Sequence, residues 1–215
     1  FQPIVDLSTG AIVGSEALAR FLDEPGRPPN ERFREAAEVG LGVELELAAI
    51  RAALAEVGNV PAGTYISVNA SHRVAMHEGL LGLLDEAPVE RLVVEITEHE
   101  PVEDYESFTS ALQLLRERGV RIAIDDAGAG FSSLRHTLRL APDIVKLDMG
   151  ITRDVDSDRG RRALASAMIS FADEMGMVIV AEGVETDAEC ATLKELGVPF
   201  GQGYLFARPG PLPYP

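Results

Sequence analysis

Residues 120–134 read Val-Arg-Ile-Ala-Ile-Asp-Asp-Ala-Gly-Ala-Gly-Phe-Ser-Ser-Leu. The stretch begins as a short apolar run of β type and ends at two adjacent carboxylates, Asp125 and Asp126. A glycine-containing turn follows, and a predicted helix begins at Ser132. Two like charges at the end of a buried strand repel each other unless a cation lies between them, and hard divalent cations take oxygen ligands. Alternatively, Asp126 starts a turn and Asp125 is solvated, and the dipeptide by itself leaves both interpretations open.

The composition is that of a soluble globular protein. The 215 residues are 46% hydrophobic and 25% charged, and the length suits a single barrel-type domain. No apolar run reaches the ~20 residues that a membrane span needs, so we expect no membrane contact from this domain. The single cysteine, Cys190, excludes an internal disulfide and indicates a reducing, cytoplasmic location. The chain opens inside an apolar strand without an initiator methionine or a signal peptide, which suggests a piece of a longer protein.

The net charge limits the partners that the chain can have. Thirty-five acidic and 19 basic side chains give a formal charge of -16, which argues against a nucleic-acid polymer as partner. The charge does not exclude a small phosphate-bearing ligand, because bound metal ions can invert the electrostatic field of an acidic site.

Apolar runs of β type alternate with stretches of helical period, which predicts an α/β fold with a parallel sheet. The strand candidates are Gln2 to Val5, Ala11 to Leu18, Tyr65 to Asn69, Leu92 to Thr97, Arg121 to Asp125, Ile144 to Asp148, Val178 to Glu182 and Gly203 to Phe206. The helix candidates are Ala48 to Val57, Glu103 to Arg118, Arg159 to Met175 and Thr186 to Leu196. We expect Glu44 and Glu46 on a solvated helical face or against a partner domain. Eight strands with crossover helices predict a closed (β/α)8 barrel.

The first connection departs from that pattern. Residues 6–10 read Asp-Leu-Ser-Thr-Gly, which is too short for a helical crossover but suits a hairpin. The first strand should therefore run antiparallel to the second. Residues 23–30 are rich in proline and glycine and are predicted to form a loop.

Polar side chains stand at the carboxyl ends of the predicted strands. They are Glu16, Asn69, Glu95, Asp125, Asp126, Lys146, Glu182 and Gln202. Any one of them could cap a helix or meet solvent. In a parallel barrel, however, all of these ends converge on one rim, where active sites of this fold lie. Carboxylate and amide oxygens without histidine or cysteine favour Mg²⁺ or Mn²⁺, and two such ions roughly 3.5–4 Å apart are the usual arrangement for displacement at phosphorus.

The chain resembles the EAL-domain cyclic-di-GMP phosphodiesterases. Glu16-Ala17-Leu18 matches the triplet that names the family, and the similarity runs from Gln2-Pro3-Ile4 to Gly203-Tyr204-Leu205-Phe206-Ala207-Arg208-Pro209. It implies that residues 1–215 form one domain with a modified TIM (β/α)8 barrel whose first strand is antiparallel. The helix that precedes the first strand in the family is not represented in this sequence.

The resemblance also implies a role for each matching residue. A first metal ion would be held by Glu16, Asn69, Glu95 and Asp125. A second would be held by Asp125, Asp126 and Glu182. The catalytic group would be Lys146, which orients or helps to activate the metal-bound water, together with Glu98, which anchors the loop after the paired aspartates, and Glu185. Substrate contacts would come from Gln2, Leu18, Arg20 and Gln202.

The implied reaction is hydrolysis of cyclic di-GMP to linear pGpG with two Mg²⁺ or Mn²⁺ ions. Residues 127–130 read Ala-Gly-Ala-Gly where the family usually has Phe-Gly-Thr-Gly, so we expect a loop of altered but retained function. A non-catalytic cyclic-di-GMP receptor is the alternative, and a protein-interaction module is a third hypothesis. The resemblance further suggests a homodimer and an upstream sensory or GGDEF-type domain.

Overall fold

The structure is a computed structural model that describes residues 1–21, 27–85, 87–97, 102, 104–127, 131–212 and 214, with the backbone alone at 126, 127, 131–134 and 136. The described residues contain eight strands that close a barrel in chain order. They are β1 (Gln2–Asp6), β2 (Ile12–Ala17), β3 (Tyr65–Ala70), β4 (Leu92–Ile96), β5 (Arg121–Ala127), β6 (Ile144–Leu147), β7 (Val178–Ala181) and β8 (Phe200–Gly201). The predicted (β/α)8 barrel is confirmed.

Nine α-helices lie among the described residues. They are α1 (Pro29–Glu38), α2 (Gly42–Ala55), α3 (His72–Ala75), α4 (Glu78–Leu84), α5 (Tyr105–Glu117), α6 (Phe131–Leu140), α7 (Met149–Thr152), α8 (Arg159–Met175) and α9 (Asp187–Glu195). In the part of the chain that the structure describes, none of them has both the length and the apolar character that a membrane crossing requires.

The first strand is antiparallel to both of its neighbours, as the short connection predicts. In β1, Gln2 pairs with Glu16 of β2, and Asp6 pairs with Phe200 of β8. The hairpin is fixed by the Asp6 carboxylate, which accepts the N–H groups of Ser8 and Thr9 at 2.8 and 2.9 Å. Because β1 is reversed, its amino-terminal end lies at the rim where the parallel strands finish. The reversal therefore places Gln2 beside Glu16.

The barrel interior below this rim is apolar. Its buried side chains are Ile4, Tyr65, Val93, Ala123, Ile144 and Val180. The ring of Tyr65 fills the space beside Gly14, where a Cβ atom would come within 2.4 Å of it. Polar groups at the rim therefore contact apolar side chains on one side. This low-dielectric environment strengthens the electrostatic interactions among them.

Three sequence predictions need correction. The last strand is Phe200–Gly201 rather than Gly203 to Phe206, since residues 203–207 form a turn in which Gly203 lies against the backbone of Val184. The predicted helix Ala48 to Val57 is α2, which begins earlier and ends at Ala55. Of the loop predicted over residues 23–30, positions 23–26 lie outside the described residues and positions 29–30 belong to α1. A proline is favourable in the first turn of a helix, where its missing N–H costs nothing.

Candidate active site

Four carboxylates surround the ammonium group of Lys146 at the rim. Its Nζ lies 2.7 Å from Oε2 of Glu95 and 2.7 Å from Oε1 of Glu182. Oε2 of Glu16 and Oδ1 of Asp125 follow at 3.5 and 3.4 Å. The Lys146 side chain is only 2% exposed, so these contacts are made away from solvent.

Strand alternation and register bring these side chains together. Successive residues of a strand face opposite sides, so Ala123 and Asp125 share the inner face of β5, and Ile144 and Lys146 share that of β6. Asn69 pairs in register with Glu95 on the neighbouring strand. The site is therefore assembled from the ends of several strands and not from one loop.

Glu16 is held by two amide side chains, those of Asn69 and Gln202, and Gln2 supports the second of them. Asn69 Nδ2 donates to its Oε1 at 3.0 Å, and Gln202 Nε2 donates to its Oε2 at 2.6 Å. Gln202 Nε2 also donates to Oε1 of Gln2 at 3.1 Å, and Gln2 Nε2 donates to the carbonyl of Ala207. Because Asn69 and Gln202 donate through nitrogen, their side-chain oxygens are left for other partners. The oxygen of Gln202 is buried and has no hydrogen-bond partner among the described residues.

The cluster perturbs the protonation of its members. Burial raises the pKa of Glu95 to about 7; the Lys146 ammonium opposes this, while the charges of Glu16 and Asp125 add to it. Burial also raises the pKa of Glu182, although 19% of that side chain stays exposed. For Lys146, burial acts to lower the pKa, but the four surrounding carboxylates outweigh it and hold the pKa well above its usual range. Lys146 is therefore a cation, and an excess of carboxylates faces it.

The donor set fits a hard divalent cation in chemistry and charge. When all four carboxylates are ionised, they exceed the one ammonium by three negative charges in a largely buried site, which a divalent cation would offset. The atoms that could ligate a metal are carboxylate and amide oxygens, which suit Mg²⁺, Mn²⁺ or Ca²⁺ better than Zn²⁺. Among the residues that the structure describes, no group of three aspartate, glutamate, histidine or cysteine side chains is already arranged to hold a metal ion. The fit rests on donor chemistry and charge, since Lys146 holds the central position.

We expect the metal-free protein to lose stability as the pH rises from about 5 to about 8. The folded-state pKa of Glu95 is raised, so its stabilising contribution is complete below the usual glutamate pKa and is lost as the pH passes through about 7. A divalent cation favours the ionised carboxylates, so stabilisation by Mn²⁺ should increase with pH. Thermal unfolding in chelator and in Mn²⁺ measures both effects, with a sodium salt of equal ionic strength as control. Stabilisation by Mn²⁺ that does not change with pH would contradict this expectation.

Other predicted residues lie at the periphery or outside the described part. Leu18 follows β2 and is half-buried, while the exposed Arg20 donates to the carbonyl of Ala19 at 2.7 Å. Glu185 does not join the cluster, because its carboxylate pairs with Arg153 at 2.7 Å and is 41% exposed. Glu98 and the side chain of Asp126 fall outside the described residues, and so do residues 128–130 of the altered loop.

Three contributors were not predicted from sequence. Thr152 is fully buried, and its hydroxyl donates to the carbonyl of Glu182. Glu46, expected on a solvated face, instead accepts the N–H of Ser71 at 2.7 Å, two residues beyond Asn69. Glu189 is buried behind the loop that follows β7. The sequence signals only its capping box with Thr186, which by itself indicates a helix terminus.

Comparison with known proteins gives consistent matches along the chain. The family model described as EAL domain matches residues 1–209. The cyclic di-GMP phosphodiesterase NbdA of Pseudomonas aeruginosa is 32% identical over 99% of this chain, and a probable cyclic di-GMP phosphodiesterase of Escherichia coli is 32% identical over 98%. This chain spans 31%, 26%, 28% and 29% of the lengths of four curated relatives, which include these two phosphodiesterases.

Solved structures agree with the fold. A standalone EAL protein of Vibrio cholerae, in its c-di-GMP bound form, has a TM-score of 0.86 and 30% identity, covering 98% of this chain and 90% of that one. A manganese and cyclic-di-GMP complex from Klebsiella pneumoniae has a TM-score of 0.86 and 31% identity, covering 97% of this chain and 54% of that one.

Proposed function

This chain belongs to the EAL domain family, and we propose that it hydrolyses cyclic di-GMP to linear pGpG with the help of divalent metal ions. The observation that carries the proposal is the buried group of four carboxylates around Lys146 at the barrel rim. Relatives named as cyclic di-GMP phosphodiesterases and a relative solved with manganese and the dinucleotide support it.

The proposed metal ligands are the oxygens of the cluster and its neighbours. A first ion would be held by Glu16, Asn69, Glu95 and Asp125, and a second by Asp125, Asp126 and Glu182. Mg²⁺ and Mn²⁺ are the proposed ions. A bound divalent ion would lower the pKa of water and neutralise charge that develops at phosphorus.

The other site residues would bind the substrate and orient the reacting groups. Lys146 would act as a donor that orients the attacking water or a phosphate oxygen, because its buried ammonium group lies among the four carboxylates. Gln202 donates to both Glu16 and Gln2, and the two glutamines would contact the substrate from positions just after β8 and at the start of β1. Arg20 is exposed at the rim, where its planar guanidinium suits a phosphate, and Leu18 offers an apolar contact. Glu98 would anchor the loop after the paired aspartates, and Glu185 would support the catalytic group from the loop after β7, where its carboxylate pairs with Arg153.

The proposed reaction is an attack by water on one of the two phosphodiesters. The water oxygen forms a bond to phosphorus, the bond from phosphorus to the ribose 3′ oxygen breaks, and a proton is transferred to that leaving oxygen. Opening one diester leaves pGpG with a terminal 5′ phosphate. Charge stabilisation by fixed groups in a site with little water is the main source of rate acceleration in such a step.

The setting of the domain is also a proposal. We infer a cytoplasmic homodimer with an upstream sensory or GGDEF-type domain, with no nucleic-acid polymer as partner because of the charge of -16.

The test is an incubation with cyclic di-GMP and Mn²⁺ or Mg²⁺, followed by chromatography of the products. We expect pGpG to form with either ion and not in chelator. A linear product that forms equally in chelator would contradict the role of the metal, and no linear product with any divalent ion would contradict the activity.

A cyclic-di-GMP receptor without catalysis is the second candidate. It is favoured by the sequence of residues 127–130, which read Ala-Gly-Ala-Gly where the family usually has Phe-Gly-Thr-Gly. Calorimetry on the same samples separates the two functions. Tight binding of the dinucleotide without turnover in any divalent ion would establish the receptor.

A further inference from the structure

Glu189 is a buried carboxylate that lies outside the cluster around Lys146. It belongs to the first turn of α9 and is only 4% exposed. Its two oxygens accept three backbone N–H groups: Asp154 to Oε1 at 2.9 Å, and Glu185 and Thr186 to Oε2 at 2.9 and 3.0 Å. Burial acts to raise the pKa of Glu189, but these three backbone N–H groups together outweigh it and hold the pKa below its usual range. The carboxylate is therefore charged when it makes these bonds.

Only one of the three bonds belongs to a helix cap. The capping box consists of the Thr186 hydroxyl accepting the N–H of Glu189 and the Glu189 carboxylate accepting the N–H of Thr186. The bonds from Asp154 and Glu185 are additional, and Asp154 lies 35 residues away along the chain. Asp154 also has a positive φ of 56°, a backbone conformation that its neighbours must hold. A cap alone does not account for this arrangement.

The additional bonds join the two segments that leave the cluster. Asp154 follows α7, which begins three residues after Lys146, while Glu185 follows Glu182 by three residues. Two further contacts join the same segments. Arg153 pairs with Glu185 at 2.7 Å, and the Thr152 hydroxyl donates to the carbonyl of Glu182. The backbone that carries Glu182 is thus fixed to the backbone that follows Lys146.

We propose that Glu189 is a positioning residue that holds Glu182 against Lys146 and so determines how tightly the site binds a divalent cation. The inference rests on the proposed function for the identity of the cation. Residues that orient metal ligands without touching the metal typically change metal affinity by about 10- to 100-fold when replaced. Glutamine at this position keeps the size of the side chain, but it replaces one acceptor oxygen with an NH₂ group facing backbone N–H donors.

The test is calorimetric titration of Mn²⁺ into the full chain and into Glu189→Gln, Thr186→Ala and Asp6→Asn. Thr186→Ala removes the hydroxyl of the capping box but leaves the Glu189 carboxylate. Asp6→Asn removes a carboxylate that accepts two backbone N–H groups at the opposite end of the barrel. We expect Glu189→Gln to weaken Mn²⁺ binding by about tenfold or more, and the two control variants to change it less than twofold, although all three lower the melting temperature.

A second measurement needs no variant. If Glu189 couples the loops to the cation, Mn²⁺ should slow hydrogen exchange at the amides of Asp154 and Glu185 more than at those of Ser8 and Thr9, because such coupling is reciprocal. Failure of the parent chain to bind Mn²⁺ would overturn the proposed function. If the parent binds Mn²⁺, two results would each overturn the positioning role alone. One is an equal affinity for Mn²⁺ in the folded Glu189→Gln variant. The other is hydrogen exchange at Asp154 and Glu185 that Mn²⁺ does not slow selectively.

Discussion

Replacing Glu16 by glutamine is expected to lower the turnover of cyclic di-GMP by about 10²–10³-fold, the loss typical of removing one fixed electrostatic contact from an active site. The change keeps the shape of the side chain and removes one charge from the cluster. It also turns an NH₂ group towards Asn69 or Gln202, both of which donate to the carboxylate in the parent protein. Half-saturating Mn²⁺ should rise, because a proposed ligand to the first metal ion is lost.

The measurement is the initial rate of pGpG formation across a Mn²⁺ series, with Glu174→Gln as control. Glu174 is an exposed glutamate of α8, so its replacement removes the same charge without entering the site. The control should retain the parent rate. A Glu16→Gln variant that keeps both the parent rate and the parent Mn²⁺ dependence would refute the role of Glu16 as a metal ligand.

Replacing Lys146 by methionine is expected to lower the free energy of unfolding by about 3–5 kcal/mol near pH 8 in the absence of metal, the range for removing one partner of a buried ion pair. Glu95 and Glu182 lie 2.7 Å from the ammonium and would face each other without it. Near pH 5 the loss should be smaller, because both carboxylates have raised pKa values and take up protons. Turnover should fall as well, since the donor that orients the water is absent.

Urea unfolding at both pH values, with and without Mn²⁺, measures this expectation. Mn²⁺ should restore more stability to Lys146→Met than to the parent, because a divalent cation can replace the missing positive charge. Lys194→Met, an exposed position in the last turn of α9, is the matched control and should change little. A Lys146→Met variant as stable as the control at pH 8 without metal would show that Lys146 does not compensate the carboxylates.

Local rules explain why the fold could be predicted from the sequence. Alternating strand and helix patterns predict the barrel, and a connection of five residues allows only a hairpin, which fixes β1 as antiparallel. The sequence places the last strand too late, because the apolar run after Gln202 has the composition of a strand. The contact of Gly203 with the Val184 backbone, which makes that run a turn, forms only when the barrel closes.

The site could be predicted in part for the same reason. The rule that parallel strands end at one rim brings Glu16, Glu95 and Lys146 together. It does not reveal that the ammonium of Lys146 lies at the centre, or that Glu185 turns towards Arg153, because both depend on side-chain packing. The roles of Glu98, Asp126 and residues 127–130 remain predictions, since these side chains lie outside the described part of the chain.

At this rim we expect water to be added to one phosphodiester of cyclic di-GMP. The most direct test is the mass of the product formed with Mn²⁺ in water enriched in heavy oxygen. Attack by water at phosphorus predicts pGpG that carries one heavy-oxygen atom in its terminal phosphate. Cyclic di-GMP that remains intact, or a linear product without heavy oxygen in that phosphate, would contradict the account.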